Sequence, residues 1–343
     1  MMQLSCAADD AEYVYRNVIS IPHLFLRRAH ALFDRLRATR RKILSGEMFA
    51  VESRGTCLFA DTQSGKTSII RIYIQNNIVD YCYEIGLFPR ETPRHIVAAS
   101  QRKVIYVSVS GTSTLMSLLE DILRAYGDTF PERGTLGNKK ARILNYIREE
   151  ETELLIFDEM NHLRIESTSG TVRMEATRVH NTLKDFLLGG CPIVFVGTKD
   201  AEKKVFSDKQ ISARCPERLF IGKLTWKDPL HRKCYQDYCG LIGLELQRHG
   251  FFTGRSNLIE KNTLACLFTA ADGYLGHTSN LVAIAIGLAQ KDGSDSVKWE
   301  HLSAASDEYT MREGLAKYNP FKDWKAKEDR RKQALKNPPQ QAA

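Results

Sequence analysis

The sequence predicts an α/β fold in which a parallel β-sheet is flanked by helices and followed by a smaller helical part. Short apolar runs alternate with segments of helical periodicity, which is typical of a doubly wound parallel sheet. One run, residues 154–157, is an unbroken Leu-Leu-Ile-Phe, as strands buried on both faces require. After Trp226 the strand pattern ends and the remaining periodic segments are helical.

The first predicted element is a helix over residues 23–45, because Phe25, Ala29 and Leu36 fall on one apolar stripe and most arginines lie off it. The predicted strands cover residues 55–60, 104–109, 154–157, 192–196 and 220–224. The helices that alternate with them cover residues 66–81, 115–126, 139–150 and 177–188. The helices that follow the sheet cover residues 229–246, 260–271, 278–290 and 299–315.

The same pattern divides the chain into four predicted parts. They are an N-terminal basic helical extension (1–50), an α/β core (51–225), a helical lid subdomain (226–316) and a basic flexible tail (317–343). The tail is rich in Pro, Gln and Lys, a composition that disfavours a packed core.

Positive charge is concentrated in two segments. The 343 residues carry a formal net charge of +8. Residues 27–42 hold seven Lys or Arg and one Asp, and residues 317–343 hold eight Lys or Arg and three acids. The segment between them is nearly neutral. Two interpretations stay open: solvated helix faces, or contacts with the phosphates of a nucleic acid.

Several classes of protein are disfavoured by the sequence. The longest apolar run, residues 281–289, is far shorter than the ~20 residues that span a bilayer. The acidic N-terminus, with Asp9, Asp10 and Glu12, is unlike a secretory signal. The eight cysteines form no CxxC pair, so the common zinc-site spacing is missing. We therefore expect a soluble, intracellular protein.

A phosphate-binding loop is predicted between the first strand and the next helix. Residues 60–67 read Ala-Asp-Thr-Gln-Ser-Gly-Lys-Thr and match GxxxxGK[ST] except at Ala60, which replaces glycine. In this pattern the glycine admits a phosphate close to the backbone, Lys66 reaches the β- and γ-phosphates, and Thr67 ligates Mg²⁺. The predicted ATP-binding residues are Asp61, Thr62, Gln63, Ser64, Gly65, Lys66, Thr67 and Ser68.

Acidic and polar residues follow two further strands. Asp158 and Glu159 end the apolar run at 154–157, where parallel sheets bind ligands. We expect Asp158 to hold Mg²⁺ and Glu159 to orient or deprotonate the attacking water. Thr198, after the fourth strand, is the expected sensor of the γ-phosphate. Arg214 or Arg218 could reach a neighbouring subunit's nucleotide as an arginine finger.

Together these motifs resemble those of AAA+ ATPases, that is, P-loop NTPases with a helical lid. The resemblance rests on the phosphate loop, the Asp-Glu strand end, Gly197 to Ala201, Gln210 with Arg214, and the helical lid. Within these ATPases the chain is similar to the transposition regulators TnsC and TniB, including those of CRISPR-associated transposons. The segments that carry this closer resemblance are residues 19–22, 196–201 and 271–276.

The resemblance implies a slow, DNA-stimulated ATPase that forms a homo-oligomeric ring or filament on double-stranded DNA. Such a protein links a target-selection protein of the TniQ type to the transposase. The DNA-contact candidates are Arg27, Arg28, Arg40, Arg41, Lys42, Arg102, Lys103, Lys139 and Lys140. One departure is that residues 276–280 of the lid offer no arginine where many AAA+ lids carry a second sensor.

Two other functions stay open at this point. One is an AAA+ loader of replication proteins, which a DNA-reading winged helix would favour. The other is a nucleotide-gated scaffold that holds ATP but scarcely hydrolyses it. Glu159 argues against the scaffold, because a site without turnover needs no such carboxylate.

Overall fold

The computed structural model describes residues 11–17, 19–49, 52–62, 64–111, 114–162 and 170–326. The chain forms two compact units. Of the described residues, the α/β unit comprises those within 25–221, and the helical unit joins those up to 24 with residues 222–326.

The α/β unit is built on one parallel sheet. Its strands are β1 (Thr56–Ala60), β2 (Val104–Ser108), β3 (Leu154–Asp158), β4 (Ile193–Gly197) and β5 (Arg218–Ile221). They lie in the order β2-β3-β4-β1-β5, and each neighbouring pair is parallel. The three inner strands are buried along their whole length. The predicted parallel sheet is therefore confirmed.

The helices flank this sheet or form the second unit. In chain order they are α1 (Ala11–Asn17), α2 (Leu24–Leu44), α3 (Lys66–Ile72), α4 (Val79–Glu84), α5 (Arg94–Ser100), α6 (Leu115–Tyr126), α7 (Leu136–Glu149), α8 (Gly170–Leu188), α9 (Lys199–Val205), α10 (Lys209–Arg214), α11 (Pro229–Arg248), α12 (Lys261–Ala270), α13 (Leu275–Lys291) and α14 (Trp299–Ala305). A π-helical segment, Tyr73–Ile78, joins α3 to α4, and another, Ser306–Met311, extends α14. The short helices α1, α5, α9 and α10 were not predicted, because six or seven residues show too little periodicity.

Apolar layers cover both faces of the sheet. On one face, Ile105, Leu155 and Phe195 form a cluster with α6, α7 and α8. On the other face, Leu58 and Ile156 pack against α2 and α3. The basic helix α2 is thus a layer of the α/β unit, and its prediction as an N-terminal extension is wrong. The rest of the predicted four-part division stays a prediction.

A buried carboxylate anchors α2 to the start of β3. Glu153 and Arg37 are each 2% exposed, and Arg37 Nε donates to Glu153 Oε2 at 2.9 Å. Arg41 Nη1 donates to the same oxygen at 3.0 Å, and the Tyr81 hydroxyl donates to Oε1 at 2.7 Å. Burial and the bond to Glu153 raise the pKa of Tyr81 to about 12, so its hydroxyl keeps the proton that it donates.

We expect Glu153→Gln to lower the free energy of unfolding by about 3 kcal/mol, because it removes the only buried carboxylate that pairs with the buried Arg37 guanidinium in the described residues and leaves Arg37 with the half-exposed Asp34 at 3.3 Å. Urea denaturation followed by circular dichroism measures the loss. The matched control is Glu151→Gln, since Glu151 is 62% exposed and its pair with Lys103 contributes at most about 1 kcal/mol. Equal losses in the two variants would show that the buried cluster does not anchor α2.

The helical unit has its own polar and apolar contacts. Arg16 of α1 donates from Nη1 to Asn280 Oδ1 of α13 at 2.7 Å. The hydroxyls of Tyr235 and Thr278 lie 2.9 Å apart in a buried bond between α11 and α13. None of the helices in the described ranges has an apolar stretch that could cross a bilayer.

The predicted flexible tail begins later than residue 317. Residues 320–326 are helical. Phe321 is fully buried, with its ring centroid 5.0 Å from that of Trp299, and Asn319 Nδ2 donates to the Ser303 carbonyl at 2.8 Å. For these residues the prediction of a flexible tail is wrong, because the apolar side chain of Phe321 is buried against Trp299 of α14. Residues 327–343 lie outside the described ranges.

Candidate functional site

The candidate site lies where the parallel strands end at their carboxyl termini. The loop after Ala60 joins β1 to α3, β3 ends with Asp158, and β4 between them ends with Gly197. Gly65, directly before α3, has φ +87°, a left-handed conformation that glycine adopts without a steric penalty. Ala60 is still part of extended β1, so alanine is tolerated at this first position of the loop pattern.

Lys66 holds the loop in its bent form. Its Nζ donates to the carbonyl oxygens of Ala60 and Asp61 at 3.2 and 2.8 Å, and the residue is 8% exposed. Burial lowers the pKa of Lys66, and the carboxylates of Glu159 and Asp158 act in the opposite direction. An anionic group placed in the loop would likewise favour the charged ammonium group.

The other predicted loop residues occupy varied positions. The Ser64 hydroxyl donates to the Asp61 carbonyl at 2.5 Å and closes the turn. Thr62, Thr67 and Ser68 are exposed, whereas Gln63 lies outside the described ranges. The loop thus presents hydroxyls and the N–H groups of a helix start at one end of the sheet, which suits a phosphate group.

Three donors fix the buried carboxylate of Asp158, which is 1% exposed. The Glu159 backbone N–H donates to Oδ1 at 2.8 Å. The Thr67 and Tyr106 hydroxyls donate to Oδ2 at 3.1 and 2.9 Å. Burial and the charge of Asp158 raise the pKa of Tyr106, so the phenol acts as a donor at neutral pH. The first turn of α3 and the end of β3 are therefore joined by a direct hydrogen bond.

The residues at this junction fit a magnesium ion. Mg²⁺ prefers hard oxygen ligands, commonly one or two carboxylates together with phosphate and water oxygens. The Thr67 hydroxyl and the Asp158 carboxylate converge within 3.1 Å next to the phosphate loop. The predicted magnesium ligands, Thr67 and Asp158, are thus brought together.

Glu159 has a strained backbone. Its φ of +58° lies in the left-handed region, which costs a residue with a side chain about 1–2 kcal/mol. The bond from its N–H to Asp158 helps to hold that conformation. Its side chain is 39% exposed, and Oε2 lies 3.7 Å from His162 Nε2. Such outliers cluster at functional sites, and this one lies directly after the magnesium-ligand candidate Asp158 and carries an accessible carboxylate.

The end of β4 contributes a polar contact and a charged contact. The Thr198 N–H donates to Asn161 Oδ1 at 3.4 Å, and Thr198 immediately precedes α9. Lys199 Nζ lies 2.8 Å from Asp61 Oδ2, and both side chains are partly exposed. This ion pair connects the phosphate loop to the end of the neighbouring strand.

Both candidate finger arginines have partners within the α/β unit. Arg214 Nη2 lies 2.7 Å from Glu52 Oε2. Arg218 Nη1 lies 3.1 Å from Glu202 Oε1, and its guanidinium stacks 3.9 Å from the centre of the Phe206 ring. Their role as arginine fingers stays a prediction. For that role, an arginine would have to leave these contacts and reach the nucleotide of a neighbouring subunit.

The basic residues proposed for DNA contact differ greatly in exposure. Arg27, Arg28 and Lys42 on α2 are exposed, and Arg41 is half-buried against Glu153. Among the others, Arg102 Nε donates to the Tyr126 carbonyl at 2.9 Å. Lys103 pairs with Glu151, and Lys140 pairs with Asp185.

Two of these candidates are wrong. Lys139 is fully buried, and its Nζ donates to Glu120 Oε1 at 3.1 Å and to the Pro131 carbonyl. Arg40 is 6% exposed and points towards the Thr152 carbonyl, 3.4 Å from its Nε. A side chain that is buried and engaged in this way cannot reach a DNA phosphate, so both residues are withdrawn.

The sequence alone did not indicate a functional role for Tyr106, Asn161 or Lys199. Tyr106 lies in the middle of an apolar strand, where a tyrosine is typical of the core. Asn161 follows a strand end by a few residues and matches no fixed position of a motif, whereas Lys199 lies within residues 196–201, which carry the family resemblance, but no role was predicted for it. Only the position of Lys199 beside Thr198, after a strand at the same sheet edge, offered a signal.

Comparisons with known proteins agree with this architecture. The family model described as bacterial TniB protein matches residues 25–220. The structure of the Aeropyrum pernix ORC1 protein in complex with DNA is similar, with a TM-score of 0.56 and 16% identity over 87% of this chain and 69% of that chain. The Aeropyrum pernix ORC2 protein in its ADPNP–ADP complexes gives a TM-score of 0.55 and 14% identity over 86% and 71% of the two chains. No curated protein matches the chain significantly.

These comparisons and the sheet order identify the fold. At 14–16% identity the similar structures show the fold alone, and that fold is the one of AAA+ ATPases. The predicted fold class is thus confirmed. The family match covers more than half of the 343 residues, including the phosphate loop and both strand ends of the site. The chain belongs to the TniB family of bacterial proteins.

Proposed function

We propose that this chain binds and hydrolyses ATP with Mg²⁺ at the carboxyl edge of its sheet. The observation that carries the proposal is the 3.1 Å contact between the Thr67 hydroxyl and the buried Asp158 carboxylate, beside Lys66. A phosphate-loop lysine, a hydroxyl and a strand-end carboxylate are the groups that P-loop enzymes use. The similar ORC2 structure, solved as ADPNP–ADP complexes, supports a nucleotide as the ligand.

Each residue has a distinct role in the proposed reaction. Lys66 releases the loop carbonyls and binds the β- and γ-phosphates. Thr67 and Asp158 would hold the magnesium ion, which would neutralise charge at the transferred phosphoryl group. Glu159 orients the attacking water and accepts its proton. Thr198 contacts the γ-phosphate, and Arg214 or Arg218 of a neighbouring copy stabilises the charge that develops.

We further propose that the chain binds double-stranded DNA as an ATP-dependent oligomer. The exposed cations Arg27, Arg28 and Lys42 lie on one helix, so copies arranged around or along a duplex would repeat these contacts many times. The similar ORC1 structure is a complex with DNA, which supports this partner. The TniB family supports a role in transposition, in which the oligomer links a TniQ-type target-selection protein to the transposase.

Duplex binding by the purified chain tests the DNA proposal. Fluorescence anisotropy with a labelled duplex should show higher affinity with a slowly hydrolysed ATP analogue than without nucleotide. The affinity should fall about 10³-fold between roughly 50 and 200 mM salt if about six phosphates are contacted. Absence of binding at the lower salt concentration with the analogue would rule out the DNA role and leave the ATPase proposal standing.

Arg28→Ala should weaken duplex binding and reduce the slope of log affinity against log salt by about one for each phosphate that is no longer neutralised. The control is Arg248→Ala, since Arg248 is also exposed, at 77%, but lies at the end of α11 and is no DNA candidate. Indistinguishable salt slopes for Arg28→Ala, Arg248→Ala and the unmodified chain would remove Arg28 from the proposed DNA surface.

A further inference from the structure

We infer that Tyr106 is a positioning residue for the magnesium site, through its hydroxyl on Asp158. The inference deepens the proposed ATPase function and rests on it. The Tyr106 hydroxyl donates to Asp158 Oδ2 at 2.9 Å, and Tyr106 belongs to no part of the phosphate-loop or strand-end motifs. It lies on β2, a strand to which those motifs give no role.

The sheet register explains why Tyr106 reaches this carboxylate. In the parallel pair of β2 and β3, Tyr106 is opposite Ile156 and Ser108 is opposite Asp158. Side chains two residues apart on a strand share a face, so Tyr106 and Asp158 project from the same side of the sheet. This is the face on which α3 packs, and α3 carries Thr67. Asp158 lies two residues beyond the position opposite Tyr106, and the tyrosine side chain is long enough to reach it.

The bonding of Asp158 shows what Tyr106 contributes. Oδ2 accepts from two side-chain hydroxyls, those of Thr67 and Tyr106. With magnesium bound, the Thr67 hydroxyl would be a metal ligand, so the Tyr106 phenol would be the side-chain donor that keeps Oδ2 oriented. Outer-shell hydrogen bonds of this kind fix ligand orientation, and their loss commonly costs 10–100-fold in metal affinity.

The experiment measures magnesium dependence without turnover. Binding of a fluorescent, non-hydrolysable ATP analogue to the full chain is titrated with Mg²⁺, and the half-saturating Mg²⁺ concentration is compared between variants. Tyr106→Phe keeps the ring and removes only the hydroxyl, and we expect it to raise this concentration about tenfold. Thermal unfolding in EDTA should be little changed, which separates the effect from a loss of folding.

Tyr81→Phe is the matched control, because Tyr81 also donates a hydroxyl to a buried carboxylate, that of Glu153 at 2.7 Å. That carboxylate precedes β3, at the opposite end of the strand from Asp158. Tyr81→Phe should therefore leave the Mg²⁺ requirement unchanged.

The outcomes separate this inference from the function on which it rests. If the unmodified chain shows no Mg²⁺-dependent binding of the analogue, the proposed ATPase function fails. If it shows such binding and Tyr106→Phe needs no more Mg²⁺ than Tyr81→Phe, the role of Tyr106 is overturned while the ATPase function stands.

Discussion

Glu159→Gln is expected to reduce ATP hydrolysis by about 10²–10⁴-fold, because the amide cannot accept a proton from the attacking water. ATP affinity should change little, since Asp158 and the phosphate loop are untouched. The variant should therefore accumulate in an ATP-bound form that stays on duplex DNA. Phosphate release measures turnover, and equilibrium binding of a labelled nucleotide measures affinity.

Glu151→Gln is a close control for this substitution. Glu151 also has a left-handed backbone, with φ +50°, but it precedes β3 and lies at the opposite end of that strand. Normal turnover by the Glu159→Gln variant would remove Glu159 from the reaction. A loss of turnover in both variants would indicate a general effect of the substitution on the fold.

Lys66→Ala is expected to lower ATP affinity on the order of 100-fold, because it removes a charge-assisted hydrogen bond to the phosphates in a largely buried position. ATP-dependent assembly on DNA should be lost with it. Calorimetric titration with ATP and Mg²⁺ measures the affinity, and light scattering with duplex DNA measures assembly.

The control for Lys66→Ala is Lys291→Ala, which removes an exposed lysine at the end of α13 in the helical unit. Its ATP affinity should match that of the unmodified chain. Unchanged affinity in the Lys66→Ala variant would contradict the assignment of the phosphate loop. Because Lys66 also bonds to the loop carbonyls of Ala60 and Asp61, its thermal unfolding should be checked in parallel.

The nucleotide site could be predicted from the sequence because its residues depend on topology rather than on detailed packing. The carboxyl ends of parallel strands meet at one edge, so the spacing of Lys66, Thr67 and Asp158 along alternating strands and helices predicted their convergence. The 3.1 Å contact between Thr67 and Asp158 agrees with that expectation.

The contacts of the basic residues could not be predicted in the same way. Periodicity separated the arginines of α2 from its apolar stripe. It cannot show whether an arginine off that stripe faces water or a buried carboxylate from another part of the chain. Arg37 is buried because Glu153, 116 residues away in sequence, supplies the opposite charge. Lys139 is buried for a similar reason, next to Glu120. Tyr106 was missed because its role depends on the register between two strands.

In the proposed function, Lys66, Thr67, Asp158 and Glu159 form one magnesium-dependent ATP site. An experimental structure of the chain with a non-hydrolysable ATP analogue and Mg²⁺ tests it most directly. We expect the phosphates along residues 61–67, the cation between the Thr67 hydroxyl and the Asp158 carboxylate, and Glu159 facing the γ-phosphate. An analogue bound elsewhere, with the contact between Thr67 and Asp158 intact and Lys66 still on the loop carbonyls, would contradict the proposed site.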